Sequence, residues 1–301
     1  MSFPIHLSDV SCRLGSDFTL RDLTLRVPQG AVYGLLGPNG SGKTTTIRLI
    51  MGMLRASDGS VVVAGHDMPD DAHLALSSIG YVPERVHLYP GISVAATLAY
   101  HAAFFPTWDA AYARRILDTF DLRPGQVVGA MSKGESGKLQ LLVALATRPS
   151  VLILDEPTDG LDPVARRDLL STLLDYVADA GATVLIASHQ VHEVERICDW
   201  VGLMDGGRLV QEEPLVAFRD SLRRLRVANA PATLGALPFS LVARRPNGRA
   251  EEWVVRGHGQ ESEAWMSRAG VELLEVTALD LEETVVELLR ATRTPRPMEV
   301  R

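Results

Sequence analysis

Residues 37–44 read Gly37-Pro38-Asn39-Gly40-Ser41-Gly42-Lys43-Thr44, the pattern G-x-x-x-x-G-K-[ST]. Each part has a physical task. The glycines let successive backbone N–H groups turn inward around an anion, and a helix that begins there adds the positive end of its dipole. The Lys43 ammonium reaches β- and γ-phosphates, and the Thr44 hydroxyl is a ligand for Mg²⁺. The flanks agree: residues 32–36 are an apolar run suited to a buried strand, and residues 44–54 carry a helical pattern. The stretch predicts a strand–loop–helix unit that binds a nucleoside triphosphate through Asn39, Gly40, Ser41, Gly42, Lys43, Thr44 and Thr45.

A second apolar run, 151–154, ends in Asp155-Glu156. At such a strand end Asp155 is placed to hold magnesium, and Glu156, one residue on, to polarise an attacking water as general base. The runs 151–154 and 183–187 enclose a helical pattern over 163–179. Continuous apolar runs bounded by turns are expected of strands buried in a parallel sheet, so this segment predicts a βαβ unit. Upstream, residues 5–12, 18–27, 31–36, 60–64 and 79–82 read as strands, and the pattern then turns helical over 93–105, 110–121 and 135–147. After Leu209 the alternation stops, and residues 227–238, rich in Ala and Pro, read as a boundary. Beyond it a hairpin around Pro246-Asn247-Gly248, a helix (261–269), a strand (271–276) and a final helix (281–292) predict a small α/β appendage. Val285, Leu288 and Leu289 give the last helix an apolar stripe.

Composition sets the outer bounds. The 301 residues suggest about two domains. With 46% apolar and 22% charged residues the chain can build a large core, and global disorder is excluded. A net charge of −7 argues against nucleic acid as the main partner. Cys12 and Cys198 form neither a disulfide framework nor a zinc spacing, which predicts buried free thiols in a reducing compartment. Residues 1–10 lack the regions of a signal peptide, and no apolar run approaches the ~18 residues of a membrane span. The expectation is a soluble, cytosolic chain. Its lysines, Lys43, Lys133 and Lys138, all fall in the two segments that carry chemistry.

The second of those segments is Met131-Ser132-Lys133-Gly134-Glu135. With the phosphate loop and Asp155-Glu156, it makes residues ~5–215 resemble the ATP-binding subunit of an ABC transporter. The family's Leu-Ser-Gly-Gly-Gln signature is matched at Ser132 and Gly134, at the family's spacing from Asp155. The resemblance implies an α/β P-loop NTPase core of the ABC ATPase kind with a helical subdomain. It implies that Ser132, Lys133, Gly134 and Glu135 cap the γ-phosphate of an ATP held by a second subunit, two ATP molecules being sandwiched head to tail. Chemically the Ser132 hydroxyl, the Gly134 amide and the start of a helix all offer donors to an anion; helix capping by Ser132 is the plainer alternative. Gly160-Leu161-Asp162 resembles the D-loop that links the two sites, and His189 resembles the switch histidine that contacts the γ-phosphate.

Three positions depart from the family pattern. Glu84, in Gly80-Tyr81-Val82-Pro83-Glu84, stands where the Q-loop glutamine is usual, and is expected to serve catalysis and bind Mg²⁺. Lys133 and Glu135 replace Gly and Gln. Leu14 stands where an adenine-stacking aromatic is expected, with Phe18 as the alternative. Glu84, the Ser132-Lys133-Gly134 run and the segment Phe105-Pro106-Thr107-Trp108-Asp109 resemble the bacterial branch that works with ABC-2-type permeases. The ending Leu281-Glu282-Glu283-Thr284-Val285 is similar to the close of those chains.

The implied division is an ATPase domain over 1–220 with its helical subdomain at about 88–150, a linker over 221–238 and an accessory domain over 239–301. The implied activity is ATP hydrolysis powering export through a separate permease. ATP and Mg²⁺ are the ligands, an identical or paralogous ATPase the second subunit, and the cytoplasmic face of the membrane the location. Tyr89-Pro90 and Trp108 are permease-contact candidates, Trp108 equally a core residue. The alternative is a soluble ABC ATPase acting on ribosomes or DNA. Such relatives carry two cassettes or a long coiled coil, and neither occurs in this sequence.

Overall fold

The computed structural model describes residues 2–15, 18–85 and 87–293, and the chain divides into two units, Met1–Leu209 and Val210–Arg301. The first opens with two ten-residue strands, β1 (Ile5–Leu14) and β2 (Phe18–Val27). Period-two alternation buries Ile5, Leu7, Val10 and Cys12 against Leu20, Leu23, Leu25 and Val27. The alternation slips between Leu7 and Val10 because the register shifts there. Asp9 takes φ +50° and exchanges hydrogen bonds with Thr24.

The wholly buried β3 (Val32–Leu36) leads to α1 (Lys43–Ile50). β4 (Asp58–Val63) and β5 (His66–Asp67) then complete a four-stranded sheet of order β2-β1-β4-β5. After α2 (Ala72–Ala75) and β6 (Ile79–Val82) come three helices, α3 (Val94–Ala102), α4 (Ala110–Thr119) and α5 (Lys133–Ala146). Ser93, Asp109 and Ser132 start them, each side-chain oxygen accepting a first-turn N–H. Trp108, half-buried, lines an apolar cleft of about 310 Å³ with Ala95, Leu98, Ala99, Ala113 and Leu117.

The chain continues with β7 (Val151–Asp155), α6 (Pro163–Ala180), β8 (Thr183–Ser188), α7 (Val191–Ile197), β9 (Trp200–Asp205) and β10 (Arg208–Pro214), the last of which begins in the first unit and runs past its end at Leu209. The second sheet has order β10-β9-β3-β8-β7-β6, and β9, β3, β8, β7 and β6 pair in parallel. One core cluster joins the two sheets: Leu7, Leu23 and Val61 from the first, Leu35, Ile153 and Leu185 from the second, and Ile47 and Ile50 from α1. That packing fixes the helix whose first turn follows the phosphate loop. Cys12 and Cys198 are free and buried.

The second unit holds α8 (Leu215–Asp220), β11 (Leu222–Ala228), β12 (Ser240–Asn247), β13 (Ala250–Arg256), α9 (Gln260–Arg268), β14 (Glu272–Ala278) and α10 (Leu281–Arg293). Its antiparallel sheet has order β12-β13-β11-β14. The β12–β13 hairpin turns at Gly248, φ +67°. Trp253, Leu225, Val227, Val255 and Met266 form the core of this unit. The expected linker over 221–238 is corrected by this arrangement. Residues 222–228 are a strand hydrogen-bonded on both sides, to β13 and β14. Three arginines in Leu222-Arg223-Arg224-Leu225-Arg226-Val227 disguise its apolar positions. Arg224 pairs with Glu283 at 2.8 Å and with Glu252 at 3.7 Å, so those charges are accommodated beside the sheet. The end of the expected accessory domain, 294–301, lies outside the described residues.

Leu222, Leu225 and Val227 are each fully buried, and each loses roughly 1.5–3 kcal/mol if exposed. A chain ending at Pro214 should therefore be soluble and bind ATP, since every candidate phosphate ligand lies upstream. A chain ending at Ala228 leaves β11 without its partners and should aggregate. Size-exclusion chromatography with nucleotide titration checks both. Loss of nucleotide binding by a folded 1–214 chain contradicts the division.

Candidate active site

The loop between β3 and α1 is shaped by contacts that exclude side chains. A Cβ on Gly37 would lie 2.4 Å from the Met204 carbonyl oxygen of β9. Gly42 takes φ +114° as the residue preceding α1, a conformation that only glycine adopts without strain. No side chain caps α1 and no acidic residue occupies its first turn, so its first N–H groups have no intrahelical acceptor. The Ser41 hydroxyl oxygen is buried and lacks a hydrogen-bond partner among the described residues.

These groups border a cleft of about 530 Å³ lined by Asn39, Gly40, Gly42, Lys43, Thr44 and Thr45, joined by Leu14, Phe18, Glu84 and Glu156. Ser41 is buried beside it and does not line it. Leu14 and Phe18 are both half-buried, so the cleft has an aliphatic and an aromatic wall for a base.

Strand ends supply the charges. Thr44 Oγ1 donates to Asp155 Oδ1 at 3.4 Å. Glu156 takes φ +49° just past β7, a strained conformation for a non-glycine residue. It is held there by its own N–H bonding to Ala187 O at 2.9 Å, at the end of β8. One carboxylate oxygen of Glu156 lies 3.2 Å from Lys43 Nζ, and both side chains are about nine-tenths buried. The other lies 2.8 Å from His189 Nδ1 and accepts the His189 backbone N–H at 3.2 Å. Lys43 Nζ also donates to Gly37 O at 2.8 Å. The ammonium therefore sits inside the loop that would surround a phosphate, and the carboxylate bridges it to the histidine.

Burial pushes the Asp155 carboxyl up to about 6. The Thr44 hydrogen bond and Lys43 oppose the rise, and the charges of Glu156 and Glu84 reinforce it. Carboxylates beside a threonine hydroxyl at a phosphate loop form the all-oxygen donor set that a hard cation takes. Thr44, Asp155 and Glu84 fit Mg²⁺ on that ground.

The signature residues lie elsewhere. None of Ser132, Lys133, Gly134 and Glu135 lines the phosphate cleft of its own chain. Ser132 and Glu135 form a reciprocal capping box: the Glu135 N–H donates to Ser132 Oγ at 3.2 Å, and the Ser132 N–H donates to Glu135 Oε2 at 2.8 Å. That backbone hydrogen bond, then one from Gln126, hold the Glu135 carboxyl below the ordinary range. Lys133 Nζ pairs with Asp159 Oδ2 at 3.0 Å. Asp162 caps α6; the Ala165 N–H above all, and then that of Val164, donate to its carboxylate and lower its pKa. A Cβ on Gly134 would lie 3.3 Å from Ala165 Cβ, so the signature helix and the loop at Asp162 abut within the chain.

Sequence reasoning passed over Asp159, Thr158, Arg166 and Glu193. Of these, Glu193 left a trace in the sequence: an acid between Val191 and Val194 on a short helix just after His189.

Comparison with known proteins places these features in a family. The family model described as "ABC transporter" matches residues 20–159. The chain is 29% identical over 224 residues to "ABC transporter ATP-binding protein YtrB" of Bacillus subtilis, spanning 74% of this chain and 76% of that one. It is 36% identical over 214 residues to "Nod factor export ATP-binding protein I" of Burkholderia lata, 69% of this chain and 70% of that one. A solved structure titled "Structure of ATP binding subunit of ABC transporter" superposes with a TM-score of 0.66 at 29% identity, covering 72% of this chain and 92% of that chain.

In cation-free protein the raised Asp155 value means that the folded state holds this proton more tightly than the unfolded chain does. The associated stability is complete below about pH 4 and lost as the pH rises through about 6. At neutral pH the ionised group opposes folding by at most about 3 kcal/mol. Asp155→Asn should thus raise the Tm of nucleotide- and magnesium-free protein near pH 7.5, the gain shrinking near pH 4.5. An unchanged or lowered Tm at pH 7.5 contradicts this electrostatic account.

Proposed function

Because the chain belongs to the ABC transporter ATP-binding proteins and hydrolyses ATP, we propose that it powers an ABC-2-type exporter whose permease is a separate polypeptide. The observation that carries the catalytic part is the Glu156 carboxylate, held 3.2 Å from Lys43 Nζ and 2.8 Å from His189 Nδ1 beside the phosphate loop. Incoming phosphates compete for Lys43, whose ammonium exchanges a carboxylate for phosphate oxygens. Glu156, released on that side, accepts the proton of the attacking water, and the His189 imidazole donates toward the γ-phosphate. Thr44, Asp155 and Glu84 are the residues that would hold Mg²⁺, which would supply positive charge to offset that of the phosphates. Leu14 and Phe18 border the space for adenine.

Since the signature helix does not line its own cleft, a second subunit supplies Ser132 and Gly134 to each ATP. Export rather than uptake is supported by the name of the Burkholderia lata relative and by the resemblance of Glu84 and Ser132-Lys133-Gly134 to the ABC-2 branch. On this reading the chain works as a peripheral subunit on the cytoplasmic face, where ATP is available to a permease partner; among the described residues no helix is long and apolar enough to cross a membrane. The permease docks on the helical segment. Tyr89 and Phe104, 57% and 64% exposed, pack against Tyr100 edge-to-face and tilted, at ring distances of 5.4 and 5.0 Å, an exposed aromatic cluster that suits a protein partner.

Glu156→Gln should keep ATP affinity while slowing hydrolysis by about 10²–10⁴-fold, and ATP should then hold a stable dimer. Turnover near the wild-type rate would assign the activation of water to another residue. Phe104→Glu with Tyr100→Glu should leave basal ATPase intact and abolish copurification with whatever membrane protein the wild-type chain brings down from its own cells. Persistence of the complex removes the aromatic cluster from the interface, and absence of any membrane partner favours an ATPase acting without a transporter.

A further inference from the structure

Two loops carry the groups assigned to hydrolysis and coupling: the one joining β7 to α6, which holds Glu156 and Asp162, and the one leaving β8 at His189. Behind them lies a carboxylate that does not line the phosphate cleft. Glu193, in the first turn of α7, is 3% exposed. A buried carboxylate is costly unless hydrogen-bonded and paired, and this one is met from three elements. Thr158, two residues past Glu156 and 1% exposed, donates its hydroxyl to Glu193 Oε1. Ser188, immediately before His189 and fully buried, lies with its hydroxyl 3.2 Å from Glu193 Oε2. The same Ser188 oxygen accepts the Gln190 N–H at 3.0 Å, leaving its proton for the carboxylate. Arg166 of α6 places Nε 3.4 Å from Glu193 Oε1, and its guanidinium reaches the Leu161 carbonyl at 3.5 Å and His192 Nε2 at 3.1 Å.

We propose that Glu193 is a positioning residue for ATP hydrolysis: it clamps Thr158 to Ser188, and so keeps Glu156 and His189 in hydrogen-bond register while Lys43 exchanges its carboxylate for phosphate. Through Arg166 the same clamp fixes the Leu161 carbonyl, one residue before Asp162. This rests on the assignment of Glu156 to water activation. The reason for a clamp is geometric. The Glu156–His189 contact joins side chains just past the ends of two strands, where the Glu156 N–H to Ala187 O bond fixes the Glu156 backbone but no strand pairing positions the two side chains. A misplacement of ~1 Å at a reacting group costs on the order of 100-fold in rate.

The test measures single-turnover hydrolysis, ATP affinity and Tm for Thr158→Val, Glu193→Ala, Glu193→Gln and their combinations in the full chain. Thr158→Val and Glu193→Ala should each slow hydrolysis by about 10–100-fold, with affinity changed less than about twofold. Glu193→Gln, which keeps a carbonyl acceptor for Thr158, should recover to within a few-fold of wild type. The Thr158→Val/Glu193→Ala double variant should be no slower than Glu193→Ala alone, because both remove one interaction. If Glu193→Ala fails to fold, the near-isosteric Thr158→Val decides. Wild-type turnover in Thr158→Val, affinity lost in step with rate, or Glu193→Gln as slow as Glu193→Ala each overturns the proposal. Glu156→Gln serves as the control. If it still turns over, the assignment of Glu156 has failed; if it is inert and Thr158→Val is not impaired, only the role of Glu193 has failed.

Discussion

The parallel register of β3, β8 and β7 determines where every charged group of the site can lie. Leu36 pairs with Ser188, and Ala187 pairs with Asp155, so three chain segments distant in sequence end at nearly one level of one sheet. Strands about 4.8 Å apart then deliver the phosphate loop, Glu156 and His189 within hydrogen-bond reach of one another. The left-handed backbone at Glu156 follows from the same constraint. Its N–H closes onto Ala187 O in the neighbouring strand, and that bond turns the carboxylate toward Lys43 rather than along the β7 axis.

The site so assembled is short of positive charge. Lys43 shares the site with Asp155, Glu156 and Glu84; burial foremost, and then the charges of Glu156 and Glu84, push the Asp155 carboxyl up. Two unit charges ~4 Å apart interact by about 4 kcal/mol at an effective dielectric of 20, so a bare triphosphate entering beside three carboxylates meets strong opposition. A magnesium–nucleotide complex does not. On the proposed assignment the excess of acid would favour entry of the nucleotide together with its metal, and the Lys43–Glu156 contact keeps the one cation of the loop engaged.

Which parts of this were legible in the sequence follows from locality. The phosphate loop is contiguous, and its glycines answer to short-range sterics, so eight residues suffice to read it. Asp155-Glu156 and His189 each follow a run of buried apolar residues, which marks a strand end. The clamp at Glu193 is not local: Thr158, Arg166, Ser188 and Glu193 come from four segments, and none stands out until the sheet and α6 bring them together. The strand 222–228 was hidden for a different reason, since arginines at its intervening positions read as solvated surface until Glu252 and Glu283 are seen to pair with Arg224.

The signature segment shows how a departure from a family pattern can preserve its electrostatics. A neutral Gly and Gln are replaced by Lys133 and Glu135, one positive and one negative, so the segment keeps its net charge. Glu135 cannot present its carboxylate freely to an incoming phosphate, because both oxygens are engaged, by the Ser132 N–H and by Gln126. What remains toward solvent is the Ser132 hydroxyl proton, the first-turn N–H groups of Lys133 and Gly134, which have no intrahelical acceptor, and the Lys133 ammonium. That ammonium is held by Asp159 in a pair whose side chains are 55% and 47% exposed, and an ion pair so exposed is worth about 0–1 kcal/mol. It can therefore be exchanged for a phosphate at little cost. The capping box does not compete with anion binding here. It turns the added negative charge inward, and leaves the donors and the added positive charge on the face where a nucleotide held by a second subunit would meet them.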